Sequence, residues 1–473
     1  MKTVCNLILA CALLLPQVAL AAKVEQPGYP APPPEGQIRT IQDTIYGVLR
    51  THRRLRGMLE NQQVLTHEVT RARTGFGPRV DLRGSAGGSQ LSDSGTRASG
   101  LDTMWGYASA SAKLVQPIWD GFATRSRVRS AKSTLESVQS RVFDTATSLS
   151  LDGIIAHIDL VRQREIYRLS ELNVKEHKSI LGKVQESASN HTISDVTETD
   201  VKQAQSRLKR AEASESQAKA TLKIAEETYY RLTGIQPGNL QAVSWPPDIF
   251  TDTETVFALA EKNNPKLAAY MKDIRTARAD RELAESAFYP VFNAEVGPSW
   301  TTRGGDDHND RWVYSFDVLG TVSWNIFNSG ADVAEWKAAS ARIRQSRQVM
   351  YDYIDDLKLD IDTTWANYKA AEEQYKHYKA AMDYNKHTVS AYWDDFTIKG
   401  RSLLDVLDSQ NELYNNSTQA MTCWGNILVG AYRLSALTGN MLPSMSIDTG
   451  PLNDAPPVDA VDSREKFDLG WFN

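Results

Sequence analysis

The chain is poor in cysteine: it has three in 473 residues, and Cys5 and Cys11 lie so near the start that only Cys423 serves the body of the protein. That excludes a disulfide framework and a cysteine metal cage. Histidine is scarce too, eight in all, with no pair at ligand spacing on one helix face. Positive charge is not in excess. The 53 Lys and Arg against 58 Asp and Glu give −5, and a pI near 6.0 leaves no global basic surface for nucleic acid. A mean hydropathy of −0.42 is too polar for a polytopic helical membrane protein. One uncharged stretch, 413–432, holds Asn415, Asn416, Ser417, Thr418 and Gln419, which a lipid-facing helix does not tolerate. Catalytic patterns are missing as well. No glycine-rich phosphate loop opens a helix, no nucleophile elbow occurs, and His67-Glu68 lacks the second histidine of a zinc-protease helix. Neither an enzymatic activity nor a cofactor is expected.

Proline is absent from two very long runs, between Pro117 and Pro237 and between Pro298 and Pro443. It concentrates instead at the ends. Lys2, an apolar run from Leu7 to Leu15 and Ala19-Leu20-Ala21 have the layout of a secretory signal peptide over residues 1–21. A rival reading takes Ile8-Leu9-Ala10-Cys11 as a lipidation box, but the apolar run continues past Cys11. Residues 22–36 form a proline-rich leader. Residues 443–473, with Pro451, Pro456, Pro457 and several acids, read as a disordered tail.

Between these ends the chain repeats itself. Arg73–Pro78 has a counterpart in Glu285–Pro290, Ile118-Trp119-Asp120 in Ile326-Phe327-Asn328, Ile193–Val196 in Leu403–Val406, and Leu232-Thr233-Gly234 in Leu437-Thr438-Gly439, at offsets between 205 and 212. Two structural repeats are therefore expected, 37–234 and 235–442. Each runs helix, two strands, a very long helix, a short break and a second helix. In the first, the helices span about 40–73, 124–187 and 195–232, with strands near 79–91 and 104–118. In the second, the helices start near Glu254, Asp332 and Ser402.

Val201, Ala204, Leu208, Ala211, Glu215, Ala218, Leu222, Ala225, Tyr229 and Leu232 alternate steps of three and four, which predicts a coiled-coil seam with close, alanine-lined approach. A helix over 332–396 would be ~100 Å long at 1.5 Å per residue, a length that suits a rod or a tube. Along the strands, Trp312, Tyr314, Phe316, Val318, Gly320, Val322 and Trp324 alternate with Val313, Ser315, Asp317, Leu319, Thr321 and Ser323. Such period-two strands, aromatic at their ends, are long enough to cross an outer membrane. A soluble sandwich would show the same alternation. Four strands cannot close a barrel, and unpaired edges do not survive in lipid, so if these strands lie in a membrane several chains must share one barrel.

These features resemble the TolC family of bacterial outer-membrane channel-tunnels: the repeated helix–strand–strand–helix–helix plan, the signal peptide, the Ile-(Trp/Phe)-(Asp/Asn) turn after the second strand, and the Gly400…Leu404-Asp405-Val406-Leu407-Asp408…Leu413 segment. The likeness covers about 37–442. It implies a mainly α fold with membrane β: long antiparallel coiled-coil helices forming an α-barrel, and four strands per chain contributing to a shared 12-stranded barrel of a homotrimer. It also implies outer-membrane location with a large periplasmic portion.

By the same resemblance Asp405 and Asp408 look like entrance acids, Arg401 like a tip arginine that holds the entrance closed, and Asp195 like an equivalent acid in the first half. In a trimer Asp405 and Asp408 would each form a ring of three carboxylates, and such rings favour cations. Plainer readings stand beside these. Asp195-x-x-Glu198 and, more loosely, Ser402-x-x-Asp405 fit helix-start capping boxes, and Asp408 could be a solvated face charge. Phe396 stands where the family carries a tyrosine, so a closing hydrogen bond would be missing. The polar cluster Asp306–Asp310 suggests either a metal site or, more simply, a hairpin loop.

The resemblance implies a passive exit duct that docks through tips near Asn190 and Lys399 on inner-membrane partners. The segments Tyr392–Phe396 and Asn173–His177 look most like members serving type I protein secretion with an ABC transporter and a periplasmic adaptor. Multidrug efflux with a proton-driven pump is the second reading, and a non-conducting coiled-coil scaffold or adhesin the third.

Overall fold

A computed structural model describes residues 38–89, 105–190, 196–247, 250–303, 311–398 and 401–453. The first helices are α1 (Ile41–Thr51) and α2 (Arg53–Thr74), followed by strands β1 (Arg79–Ser89) and β2 (Trp105–Trp119). Then come α3 (Ala123–Asn190), α4 (Glu198–Thr233), α5 (Thr253–Asn263) and α6 (Pro265–Glu285). Strands β3 (Val291–Arg303) and β4 (Arg311–Ser323) precede α7 (Ala331–Thr397) and α8 (Leu403–Leu437), and two short turns of helix, α9 (Met441–Ser444) and α10 (Gly450–Asn453), close the described chain.

Two helices expected to be single are broken, each by a residue that caps the next helix. His52 leaves helical geometry at ψ 118°, ending α1, and its ring nitrogen accepts from the Arg54 amide to start α2. Asn264, held extended by the adjoining Pro265, accepts from Leu267 N at 3.0 Å and separates α5 from α6. Neither break interrupts an apolar stripe, so periodicity alone ran through both.

The two long helices, α3 with 68 residues and α7 with 67, each extend ~100 Å. α4 lies along α3 and α8 along α7, while α8 also packs on α3 and α6 bridges α3 and α7. The α4 seam is as its heptads require: Ala204, Leu208, Ala211, Ala218, Ala225, Tyr229 and Leu232 are its buried apolar residues. The uncharged stretch of α8 buries Ser417, Ala420, Gly425, Leu428 and Gly430 between helices, and a Cβ at Gly430 would press on Tyr368 at 3.1 Å. No helix among the described residues is long and apolar enough to cross a membrane.

All four strands join one antiparallel sheet in the order β1-β2-β3-β4. β1 and β4 are therefore its edges, with backbone groups left for other partners. The two strand-to-helix turns are alike: Gly121 and Phe122 after β2, and Ser329 and Gly330 after β4, all take positive φ, and in each turn the amide at the helix start donates to the Asp120 or Asn328 carbonyl.

The largest core lies near mid-length, where α1, α3 and α8 meet: Ile45, Val48, Ile154, Ile158, Leu428 and Tyr432. The first part of the C-terminal tail also belongs to it. Met445, Ile447 and Leu452 are buried there, and Leu452 is 0 % exposed. The expectation of a disordered tail from 443 is thus corrected for 443–453, where these three apolar side chains find a groove already formed by the helices. Residues 454–473 lie outside the described residues, as do residues 1–37, on which the expected signal peptide and proline-rich leader fall.

Candidate channel entrance and membrane face

At the end of the molecule away from the sheet, α3, α4, α7 and α8 converge on a small core of Ile180, Val184, Ala204, Phe396, Leu403, Val406 and Leu407. Phe396 is part of that packing, so its ring supplies apolar contact where a tyrosine hydroxyl would need a partner. The charged residues sit around this plug. Arg401 approaches Asp405 at 3.5 Å and Asp395 at 3.9 Å, and its guanidinium stacks 3.9 Å from the Tyr392 ring centroid. Asp408 is committed elsewhere. Its carboxylate accepts from Arg207 of α4 at 2.6 Å, which ties the second half's tip to the first half's helix. Nearby, the Lys183 ammonium lies 4.3 Å from the Trp393 ring.

Two capping expectations change. Ser402 does cap α8, but it accepts from Leu404 N at 3.1 Å, and Asp405 turns to Arg401 instead of closing a box. The box that starts α4 is Thr197 with Asp200, two residues beyond the Asp195–Glu198 pair, with Thr197 N donating to Asp200 at 2.8 Å. Asp195 itself lies outside the described residues, together with His191, Lys399, the Asp306–Asp310 cluster and the Asn190 side chain. Of the four expected entrance residues, the structure therefore brings Arg401 and Asp405 together and gives Asp408 a partner that sequence spacing did not suggest. Arg207 carries no local signal, because its mate is 201 positions away.

These pairs are half-exposed. Ion pairs in that setting hold ~0–1 kcal/mol each, so they contribute little to holding the fold.

At the opposite end, the strand register sorts the side chains. Leu319 faces Glu295, Ser315 faces Ser299 and Asp317 faces Gly297 across β3 and β4, which collects Asn293, Glu295, Ser299, Ser315, Asp317 and Thr321 on one face, with Val313 and Leu319 as apolar exceptions. Lys113 of β2 reaches Glu295 at 2.5 Å on that face, and Ser299 and Ser315 share a hydrogen bond of 2.8 Å. The other face gathers Val80, Leu82, Leu114, Phe292, Tyr314, Phe316, Val318 and Val322, all exposed in the isolated chain. Trp300 and Tyr314 pack at 5.4 Å on it. An apolar belt on one side and an ion-paired, hydroxyl-rich surface on the other is the division a wall between lipid and water needs.

Between the two ends, His157 is wholly buried. Its Nε2 faces the Gln241 carbonyl at 3.1 Å, which only accepts, so in the neutral ring Nε2 carries the hydrogen and Nδ1 accepts from Thr44 Oγ1 at 2.8 Å. Burial pushes its pKa below the ordinary value, and burial with nearby Arg207 does the same for His177.

Residues 256–440 match the family model described as outer membrane efflux protein. The chain is 23 % identical over 330 residues to the outer membrane efflux protein BepC of Brucella suis, covering 70 % of this chain and 71 % of that one. It is 21 % identical over 427 residues to the outer membrane protein TolC of Escherichia coli, covering 85 % and 84 %. Among solved structures, that of CusC superposes with a TM-score of 0.72 at 14 % identity, over 89 % of this chain and 99 % of CusC.

Proposed function

We propose that this relative of the TolC-type outer membrane efflux proteins works as a trimeric exit duct, in which three four-stranded sheets close one 12-stranded barrel and the helices continue it as a tunnel through the periplasm. One observation carries the reading: a two-faced sheet with open β1 and β4 edges stands on helices ~100 Å long. An isolated sheet of this kind has no stable place in lipid, whereas cyclic closure by identical copies removes every edge. The alike turns after β2 and β4 support an origin of the chain by duplication.

The tip residues Arg401, Asp405 and Asp408 form the entrance in this reading, with Asp195 as the first half's contribution. Energy for transport comes from inner-membrane partners reached through a periplasmic adaptor. For cargo, the Tyr392–Phe396 and Asn173–His177 segments support type I protein secretion with an ABC transporter. The match to the efflux protein model and to BepC supports a drug-efflux pump equally. Deleting the gene separates the two: loss of a secreted protein from the medium supports the first, and dye accumulation with antibiotic sensitivity supports the second.

Single-channel current in a planar bilayer tests the duct itself. Small cation-selective steps are expected, with Asp405→Asn/Asp408→Asn lowering cation preference and divalent block. Unchanged selectivity removes these acids from the entrance, and failure to insert defeats the barrel.

A further inference from the structure

Where β2 meets α3, the backbone is forced. Gly121 and Phe122 are consecutive left-handed residues, at φ 63° and 68°. A side chain at Gly121 would collide with Tyr289 at 2.8 Å, and Phe122 is a bulky residue in a conformation that costs ~1–3 kcal/mol. The result of that strain is an outward ring: Phe122 is 52 % exposed and stands edge-on to Trp119 at 5.9 Å. Trp119 also contacts Tyr289 and Phe292, and Phe292 lies on the apolar face of the sheet. An aromatic cluster thus marks the lower border of the lipid-facing belt.

Directly beneath it is an open cleft of about 330 Å³ lined by Phe122, Arg125, Arg129, Glu282, Glu285 and Tyr289. Arg129 and Glu282 neutralise each other in an ion pair. Arg125 and Glu285 make no ion pair or hydrogen bond with any other described side chain. The cleft therefore offers one uncommitted guanidinium and one uncommitted carboxylate at the foot of an aromatic belt, in a volume that suits a headgroup and not a whole lipid.

We infer that this cleft binds the headgroup of a phospholipid carrying both a phosphate and a primary ammonium, a phosphatidylethanolamine of the leaflet facing the helices. The phosphate accepts from Arg125, the ammonium donates to Glu285, and the rings lie at headgroup level, where aromatic side chains are favoured. The inference rests on the membrane-barrel reading above. Within that reading the site lies under β2 and β3, away from the edge strands that must pair with other copies, so each chain keeps its own cleft. The second half has no equivalent. Gly330 stands where Phe122 does, Val333 where Arg125 does and Lys337 where Arg129 does, which predicts one bound lipid per chain.

The test is lipid retention by the full-length, detergent-purified protein, delipidated and then offered phosphatidylethanolamine, phosphatidylcholine or phosphatidylglycerol, with native mass spectrometry as the readout. Preferential retention of phosphatidylethanolamine is expected, about tenfold weaker in Arg125→Ala and in Glu285→Gln, since each removes one charge-assisted hydrogen bond. The exchange Arg125→Glu/Glu285→Arg should recover part of it. Equal retention of the choline lipid, tighter retention of the glycerol lipid, or variants indistinguishable from wild type each overturn the inference. Flotation with vesicles is measured alongside. Wild type that inserts without lipid preference defeats this site alone, whereas wild type that does not insert defeats the barrel reading with it.

Discussion

The mid-length core and the tip hold the chain in different ways. At mid-length, α1, α3, α8 and the returning tail bury a continuous apolar cluster, and even its polar neighbours, such as His157 and Thr44, are hydrogen-bonded to one another. At the tip a few apolar residues are ringed by half-exposed charges, with Arg401, Asp405, Arg207 and Asp408 in reach of water. The difference teaches where each property resides. Stability belongs to the region that water cannot enter, and adjustability to the region where every ion pair can be exchanged for hydration at little cost.

The largest way to break this contrast is to remove the tail. Truncation after Ser444 deletes Met445, Ile447 and Leu452 from the core, and at ~1.5–3 kcal/mol per buried side chain it should cost roughly 4–9 kcal/mol as an upper bound. Denaturant unfolding measures it, and an unchanged midpoint would return the tail to the disordered class. Next comes Ile158→Ala, which leaves a cavity between α3 and its neighbours and should cost about 2–5 kcal/mol in the same measurement.

A smaller effect is pH-dependent. Because burial holds the native His157 pKa below its ordinary 6.5, the unfolded chain binds the proton first as the pH falls. The contribution is complete above that value and is lost as pH drops from it toward the lowered native pKa. The melting temperature should therefore fall between pH 7.5 and 5.5, and less steeply in His157→Gln; His177 and His52, both held low chiefly by burial, add slope in the same direction. The smallest change is expected at the tip. Arg207→Ala should alter stability by no more than ~1 kcal/mol while raising resting conductance by freeing Asp408 from α4. A loss comparable to that of Ile158→Ala would erase the contrast.

Regular spacing determined much of this protein without reference to its shape. The three-four steps from Ala204 to Leu232 name the buried edge of α4, the alternation from Tyr314 to Val322 separates the two faces of β4, and the proline-free runs set the span of the long helices. Those features arise from helix and strand periods, which act over a few residues. Tertiary structure decided what spacing cannot reach. It joined Asp408 to Arg207, turned Asp405 from a capping role toward Arg401, folded Met445, Ile447 and Leu452 back into the core that holds Tyr432, and set Arg125 and Glu285 in one cleft. Each of those partners is chosen by which surfaces happen to meet when ~100 Å helices pack side by side, and no local period records that meeting.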